Sequence, residues 1–210
     1  MKKVTLIRTG MLPTNTYVLF DDESKECVVV DPACDSTKVV TYIVDMGLDL
    51  SAIVLTHGHF DHCGGVNTLL RYKSVKVYGS SLDADLAANA SKNHWKARAE
   101  DCIITDYVDK IGDFSVGCFD FKVLETPGHT EGSVCYFVDD LLFSGDTLFD
   151  GCVGRTDLPG GDQRKMLESL KKLSKLTFDY TVLPGHEFTT TFLEQKRNNP
   201  YLRLEAFDYD

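Results

Sequence analysis

Long apolar runs are missing from this sequence. Nowhere does it approach the ~20 consecutive apolar residues that a membrane span requires, so no membrane partner is expected. The start, Met1-Lys2-Lys3 followed by Val4-Thr5-Leu6-Ile7 and then Arg8, is too short in apolar residues for an export signal. Basic blocks are missing too. The chain carries 32 acidic against 22 basic side chains, a net charge of −10, and its nearest approach to a basic block is Lys171-Lys172. Such a chain repels a phosphate backbone at long range, which argues against a nucleic-acid partner. Paired cysteines are also absent: the seven thiols are odd in number and form no CxxC motif. A disulfide framework is therefore not expected, and reduced, mostly core cysteines suit a cytoplasmic protein. There is no linker or low-complexity stretch either. With 210 residues and 43% hydrophobic content, the chain is expected to form one domain spanning 1–210.

What is present is an alternation of short β-rich runs and helical stretches. Val4–Arg8, Thr16–Phe20 and Cys27–Asp31 read as strands separated by turn residues. Ser36–Met46 has helical spacing, with Val39, Val40, Ile43 and Met46 on one stripe and Gly47 as a stop. Ala52–Leu55 and Val75–Tyr78 read as strands, with a helix through Tyr72 between them and another over Ser81–Asn89. Cys102–Glu125 reads as strand, broken at Gly112 and Gly117. Ser133–Val138 and Leu141–Ser144 form a hairpin closed by Asp139-Asp140. A Gly-rich loop over Gly151–Asp162 precedes a helix over Gln163–Leu173, a strand over Tyr180–Leu183 and a last helix over Thr189–Lys196. Two groups of strands, each closed by helices, imply an α+β chain: two sheets face to face with helices outside, a four-layer αββα sandwich.

The chemistry is concentrated at strand exits, where functional side chains collect on a rigid scaffold. Of only six histidines, three fall within Thr56-His57-Gly58-His59-Phe60-Asp61-His62. Two more each follow a Pro-Gly pair, at Pro127-Gly128-His129 and Pro184-Gly185-His186, and Asp146 follows Ser144-Gly145. Imidazole and carboxylate suit zinc, iron and manganese. One divalent ion could take His57, His59 and His129, and a second Asp61, His62 and His186, with Asp146 bridging the two. Zinc is the first expectation for the pair, with iron or manganese as replacements. The site would favour an anionic transition state, and a metal-acidified hydroxide would be the nucleophile, with Asp61 helping to orient it.

His57-Gly-His59-Phe-Asp61-His62, followed in order by His129, Asp146 and His186, resembles the HxHxDH ligand set of the metallo-β-lactamase superfamily, over nearly the whole chain. The resemblance implies that superfamily's fold and a two-metal site at those seven residues. Within it the chain looks most like glyoxalase II, the hydroxyacylglutathione hydrolases. Thr56–Gly65 reads as that group's THxHxDHxGG, and Asp146 stands where many true β-lactamases carry a cysteine. Gly185-His186-Glu187 through Asn199-Pro200-Tyr201-Leu202 is similar to its closing helix. Longer members add a C-terminal helical region that supplies much of the glutathione contact, and this chain, ending at Asp210, is expected to be a short member without it. Gly154-Arg155-Thr156-Asp157 also recurs in compact bacterial members and in persulfide dioxygenases. The implied activity is hydrolysis of a small acyl thioester such as S-lactoylglutathione.

Other functions remain open at this point. They are a persulfide-dioxygenase-like oxygenase with one iron on His57, a histidine of the His129 region and Asp146; hydrolysis of another ester, a lactone, a β-lactam or a phosphodiester; and metal binding without catalysis. Several residues also carry a plainer reading. Asp31 and Thr130 are either turn residues or supports that orient a ligand histidine. Cys63 is read as packing, Arg155 as a partner of Asp157 or Asp162, and His94-Trp95 as either a pocket mouth or a surface pair.

Overall fold

A computed structural model of the chain describes residues 1–93 and 99–203. The first sheet holds β1 (Lys2–Thr9), β2 (Thr14–Asp21), β3 (Glu26–Val30), β4 (Asp49–Val54), β5 (Lys76–Gly79) and β6 (Asp106–Tyr107), in chain order. The second holds β7 (Phe114–Val116), β8 (Phe119–Glu125), β9 (Val134–Val138), β10 (Leu141–Gly145), β11 (Thr181–Pro184) and β12 (Thr190–Thr191), again in chain order. The helices are α1 (Thr37–Asp45), α2 (Phe60–Cys63), α3 (Val66–Tyr72), α4 (Ala84–Ala87), α5 (Ala90–Asn93), α6 (Val108–Ile111), α7 (Gln163–Ser174) and α8 (Phe192–Asn198).

Four layers follow from the two-residue period of a strand, which sends alternate side chains to opposite faces. In β2, Tyr17 and Leu19 turn inward between the sheets, while Val18 and Phe20 turn outward. The same split runs through β3 (Val28 and Val30 against Cys27 and Val29) and β9 (Tyr136 and Val138 against Cys135 and Phe137). The inward set meets Phe119, Phe121, Phe143 and Leu183 in one core between the sheets. The outward set is covered on one side by Val39 and Ile43 of α1 with Val66 and Leu69 of α3. On the other side it is covered by Met166, Leu170 and Leu173 of α7 with Phe192 of α8. The αββα sandwich expected from the sequence is the fold observed.

One connectivity occurs twice. β1, β2 and β3 are antiparallel neighbours, and α1 then crosses to β4, which runs parallel to β3. β8, β9 and β10 are likewise antiparallel, and α7 crosses to the parallel β11. Each parallel pair brings two strand ends side by side, the place where open sheets collect ligands.

Three local readings need correction. The run Cys102–Glu125 is not all strand: Val108–Ile111 is one turn of helix, because Val108 is buried between the sheets while Asp109 accepts from the Ser81 backbone N–H and hydroxyl at 2.6 Å each. Ser81–Asn89 is a 3₁₀ turn, Ser81–Asp83, running into the single turn α4. The last helix starts at Phe192 rather than Thr189. Thr190 and Thr191 extend the second sheet against Val182 and Thr181, and the Thr191 hydroxyl caps the helix by accepting from Glu194 N at 3.4 Å.

α7 gives a direct check on the outer layer. Leu170 is fully buried whereas Leu167, on the same helix, is 36% exposed. Leu170→Ala is expected to cost about 2–5 kcal/mol in chemical denaturation, and Leu167→Ala to stay within about 0.5 kcal/mol of the parent. Equal losses would contradict the packing described.

Candidate metal centre

The candidate residues sit on loops leaving four strands at one edge of the sandwich. His57 and His59 follow β4, His59 in extended backbone, and the first turn of α2 then carries Asp61 and His62. His129 follows β8, Asp146 follows β10 and His186 follows β11. Close approach demands glycine next to two of them. A Cβ on Gly185 would lie 2.2 Å from Asp146 Oδ1 and 2.5 Å from His62 Cε1. Gly145 has φ +49° with its Cβ position 2.3 Å from the Thr56 hydroxyl oxygen. Both are sites where only glycine fits.

All seven sequence-predicted residues meet. Ligand-capable atoms of His57, His59 and His129 lie within 4.8 Å of one another, and so do those of Asp61, His62 and His186. Asp146 stands between the groups: Oδ2 is 3.3 Å from His129 Nε2 and 3.6 Å from His186 Nε2, and Oδ1 is 3.4 Å from His62 Nε2. His59 Nδ1 faces His129 Nε2 at 2.8 Å, and His62 Nε2 faces His186 Nε2 at 3.3 Å.

The surroundings decide which nitrogen of each ring is free, since an acceptor at Nδ1 fixes the proton there. His129 Nδ1 donates to the Arg155 carbonyl at 2.7 Å, His62 Nδ1 to Asp31 Oδ2 at 3.0 Å, and His186 Nδ1 to the Pro13 carbonyl at 3.3 Å. His57 Nδ1 lies 3.1 Å from the Thr56 hydroxyl, whose own proton goes to Asp31 Oδ2 at 2.6 Å, so His57 is the donor. Four rings thus point Nε2 inward, while His59 presents Nδ1. His57 Nε2 and Asp146 Oδ1 are buried without a hydrogen-bond partner. An unsatisfied buried lone pair is costly, and a cation between these atoms removes that cost. The donor set therefore fits divalent metal. A third cluster, Asp31 with His57 and His62, does not read as a ligand set. Asp31 Oδ1 is taken by Thr56 N at 2.8 Å, and Oδ2 by Thr56 and His62. Asp31 instead orients both histidines, from a left-handed φ of +50° that aspartate tolerates better than most residues.

Electrostatics point the same way. Burial, then the neighbouring rings of His62 and His129, holds the His57 pKa well below its usual value. Burial and His129 bring His59 down to about 4. Both are neutral at working pH, the form that ligates metal. Burial opposes ionisation of Asp61, but His62 and His186 outweigh it and hold the carboxyl below the usual range. Burial also lowers His62, yet Asp146, Asp61 and Asp31 together push it up to about 10.

The cluster floors a cleft of about 390 Å³ whose walls include Leu12, Phe60, Phe149, Arg155, Leu158 and Glu187. Arg155 pairs with Asp157 through two contacts, at 2.8 and 2.7 Å, as the sequence reading expected. Cys63 is buried, with Sγ 3.4 Å from the Gly58 carbonyl. His94-Trp95 lies outside the described residues. The sequence reading missed the supports of the His186 loop. Asn15 donates from Nδ2 to the carbonyls of Pro184 and Glu187 at 3.0 and 3.1 Å, Tyr17 donates to Pro184 O at 2.7 Å, and Arg8 to Glu187 O at 2.6 Å. The one local signal for Asn15, a polar residue at the head of a strand, has many plainer explanations.

The family described as the Metallo-beta-lactamase superfamily matches residues 9–186. A probable metallo-hydrolase of Bacillus subtilis, YqgX, is 37% identical over 204 residues, covering 92% of this chain and 94% of the relative. The hydroxyacylglutathione hydrolase GloC of Haemophilus influenzae is 31% identical over 213 residues, covering 97% and 99%. Among solved structures, the BLEG-1 B3 metallo-beta-lactamase superposes with a TM-score of 0.89 at 34% identity, covering 95% of this chain and 99% of that one. TTHA1623 in a di-iron-bound form superposes with a TM-score of 0.84 at 34% identity, covering 94% and 100%.

A proton count tests the electrostatics. With its pKa raised to about 10, His62 carries a second proton at neutral pH in metal-free protein. Metal at Nε2 displaces it, so affinity should rise with pH up to that value. Calorimetric titration of stripped protein with zinc at pH 7.5, in buffers of different ionisation enthalpy, should report at least one proton released. Binding with no proton release would contradict this picture.

Proposed function

The chain belongs to the metallo-β-lactamase superfamily, and on that premise we propose that it is a metal-dependent hydrolase of small acyl thioesters, with S-lactoylglutathione as the representative substrate. The observation that carries the reading is the pair of residue groups with Asp146 between them, ring nitrogens inward, at the floor of an open cleft. In this reading His57, His59 and His129 would hold one divalent ion and Asp61, His62 and His186 a second, with Asp146 placed to serve both. Imidazole and carboxylate accept zinc, iron and manganese. Zinc is the first candidate, and the relative crystallised with two irons supports iron as a replacement. When bound, such a pair supplies Lewis acidity and an acidified water as nucleophile.

The chain's own groups fit the rest of the reaction. Asp61, kept ionised by His62 and His186, can accept a hydrogen bond from the attacking water and aim it. Water adds at the thioester carbon, the C–S bond breaks, and a carboxylate, a thiolate and protons leave. A thiol with an ordinary pKa near ~8.5 departs as thiolate without help, whereas an amine leaving group needs a proton. Among the described residues lining the cleft, the histidines and aspartates belong to the two ligand groups, which leaves only Arg155 and Glu187 as charged groups. Arg155 stays protonated and so is no acid for an amine. A thiolate needs no proton to leave, which suits a thioester, and the relative named hydroxyacylglutathione hydrolase supports that substrate; the likeness to the BLEG-1 B3 metallo-beta-lactamase makes a β-lactam the competing substrate to assay. A cleft of this size suits a small molecule rather than a polymer.

The test is loss of thioester absorbance from S-lactoylglutathione, with protein carrying two equivalents of zinc, iron or manganese and with chelator-stripped protein. The expected result is turnover that chelator abolishes and metal restores. No turnover on any thioester by two-metal protein would overturn the substrate reading, as would faster turnover of a β-lactam. Oxygen uptake on a persulfide by protein holding one iron would replace it with an oxygenase.

A further inference from the structure

Asp83 closes the 3₁₀ turn after β5 and is only 2% exposed. Its carboxylate collects three hydrogen bonds. Oδ2 accepts from the Gly58 backbone N–H at 2.8 Å and from the Thr130 hydroxyl at 2.7 Å, and Oδ1 accepts from the Gly132 N–H at 2.8 Å. These donors flank one group of residues. Gly58 lies between His57 and His59, and Thr130 follows His129. The two loops leave different sheets, from β4 and from β8, and share this carboxylate across the gap.

The sequence around Asp83 is shaped to it. A Cβ on Gly58 would lie 2.7 Å from the Asp83 carbonyl oxygen and 3.0 Å from its Cβ. A Cβ on Gly132 would lie 2.6 Å from the Asp83 carboxyl carbon. Neither glycine has a left-handed φ, so what each position requires is space. The turn itself is pinned, since Ser80 Oγ accepts from Leu82 N at 3.2 Å and Asp109 takes both Ser81 donors.

We propose that Asp83 is a positioning residue for the metal site of His57, His59 and His129: its buried carboxylate sets the spacing of the two loops that deliver these rings, without itself ligating metal. The inference rests on the metal-binding reading of the cluster and not on the thioester substrate. Asparagine at this place keeps the shape but has one acceptor oxygen. Turned toward Gly58 and Thr130, it faces its NH₂ at the Gly132 N–H; turned the other way, it faces NH₂ at the Gly58 N–H. Either orientation sets donor against donor in a buried place and releases one loop. The group of Asp61, His62 and His186 has separate supports in Asp31 and Asn15 and is left intact.

The experiment is a cobalt(II) titration of stripped full-length chain against a chromogenic chelator, for the parent, Asp83→Asn, His129→Ala and His186→Ala. The parent is expected to bind two ions. Asp83→Asn should keep one at parental affinity and weaken the other by about 10–100-fold. Its one-ion absorption spectrum should match that of His129→Ala and not that of His186→Ala. Thr130→Val should weaken the same site by less, and Thr130→Ser, which retains the hydroxyl, should restore it. Two ions at parental affinity in Asp83→Asn, or equal weakening of both sites, overturns the proposal. Should Asp83→Asn fail to fold, Thr130→Val decides by the same criterion, and an unchanged site there is equally fatal. A parent that binds no more than one ion overturns the two-metal reading itself, and this inference with it.

Discussion

Three carboxylates, those of Asp31, Asp61 and Asp146, reach the single buried ring of His62, at 3.0, 3.7 and 3.4 Å. Among the described residues no lysine or arginine pairs with any of them. Buried charge of one sign must be neutralised, and a cation is the cheapest way to do it. Without metal the proton on His62 takes that role, which is why burial fails to depress its pKa. With metal bound, the same place would be the inner face of the group formed by Asp61, His62 and His186. Much else at this edge of the molecule follows from the need. Rings are tied at Nδ1 so that Nε2 points inward, glycines stand where side chains would fill the space, and a left-handed φ is accepted at Asp31.

The fold meets that need through its repeated connectivity. Each half of the chain runs three antiparallel strands and then crosses through a helix to a parallel fourth. Each half therefore places an aspartate after its third strand and histidine after its fourth: Asp31 with His57, and Asp146 with His186. The two aspartates play different roles. Asp146 turns its carboxylate toward the inward ring nitrogens, whereas Asp31 holds Thr56 and His62. Packing of the two sheets through Tyr17, Phe119, Tyr136 and Phe143 brings the halves to a common edge.

The sandwich and the seven clustered residues were legible in the sequence because their signals are local. Strand alternation needs a handful of residues, and the histidines stand in short glycine-containing contexts at strand exits. The spatial grouping into two triads was also legible, since His57 and His59 are two apart just ahead of the helical turn that carries Asp61 and His62. What escaped the sequence reading is long-range. Asn15 meets carbonyls about 170 positions away, the His129 ring is fixed by the backbone of Arg155 rather than by its side chain, and Asp83 joins loops from two sheets. The helical turn at Val108–Ile111 escaped for the same reason, being set by Asp109 reaching back to Ser81.

The central claim is that these side chains converge on two separate ions. Anomalous diffraction at the metal edge, from crystals of metal-reconstituted protein, tests it most directly. The account predicts two peaks, one among His57, His59 and His129 and the other among Asp61, His62 and His186, with the Asp146 carboxylate between them. A single peak, or one ligated by Asp31, would contradict it.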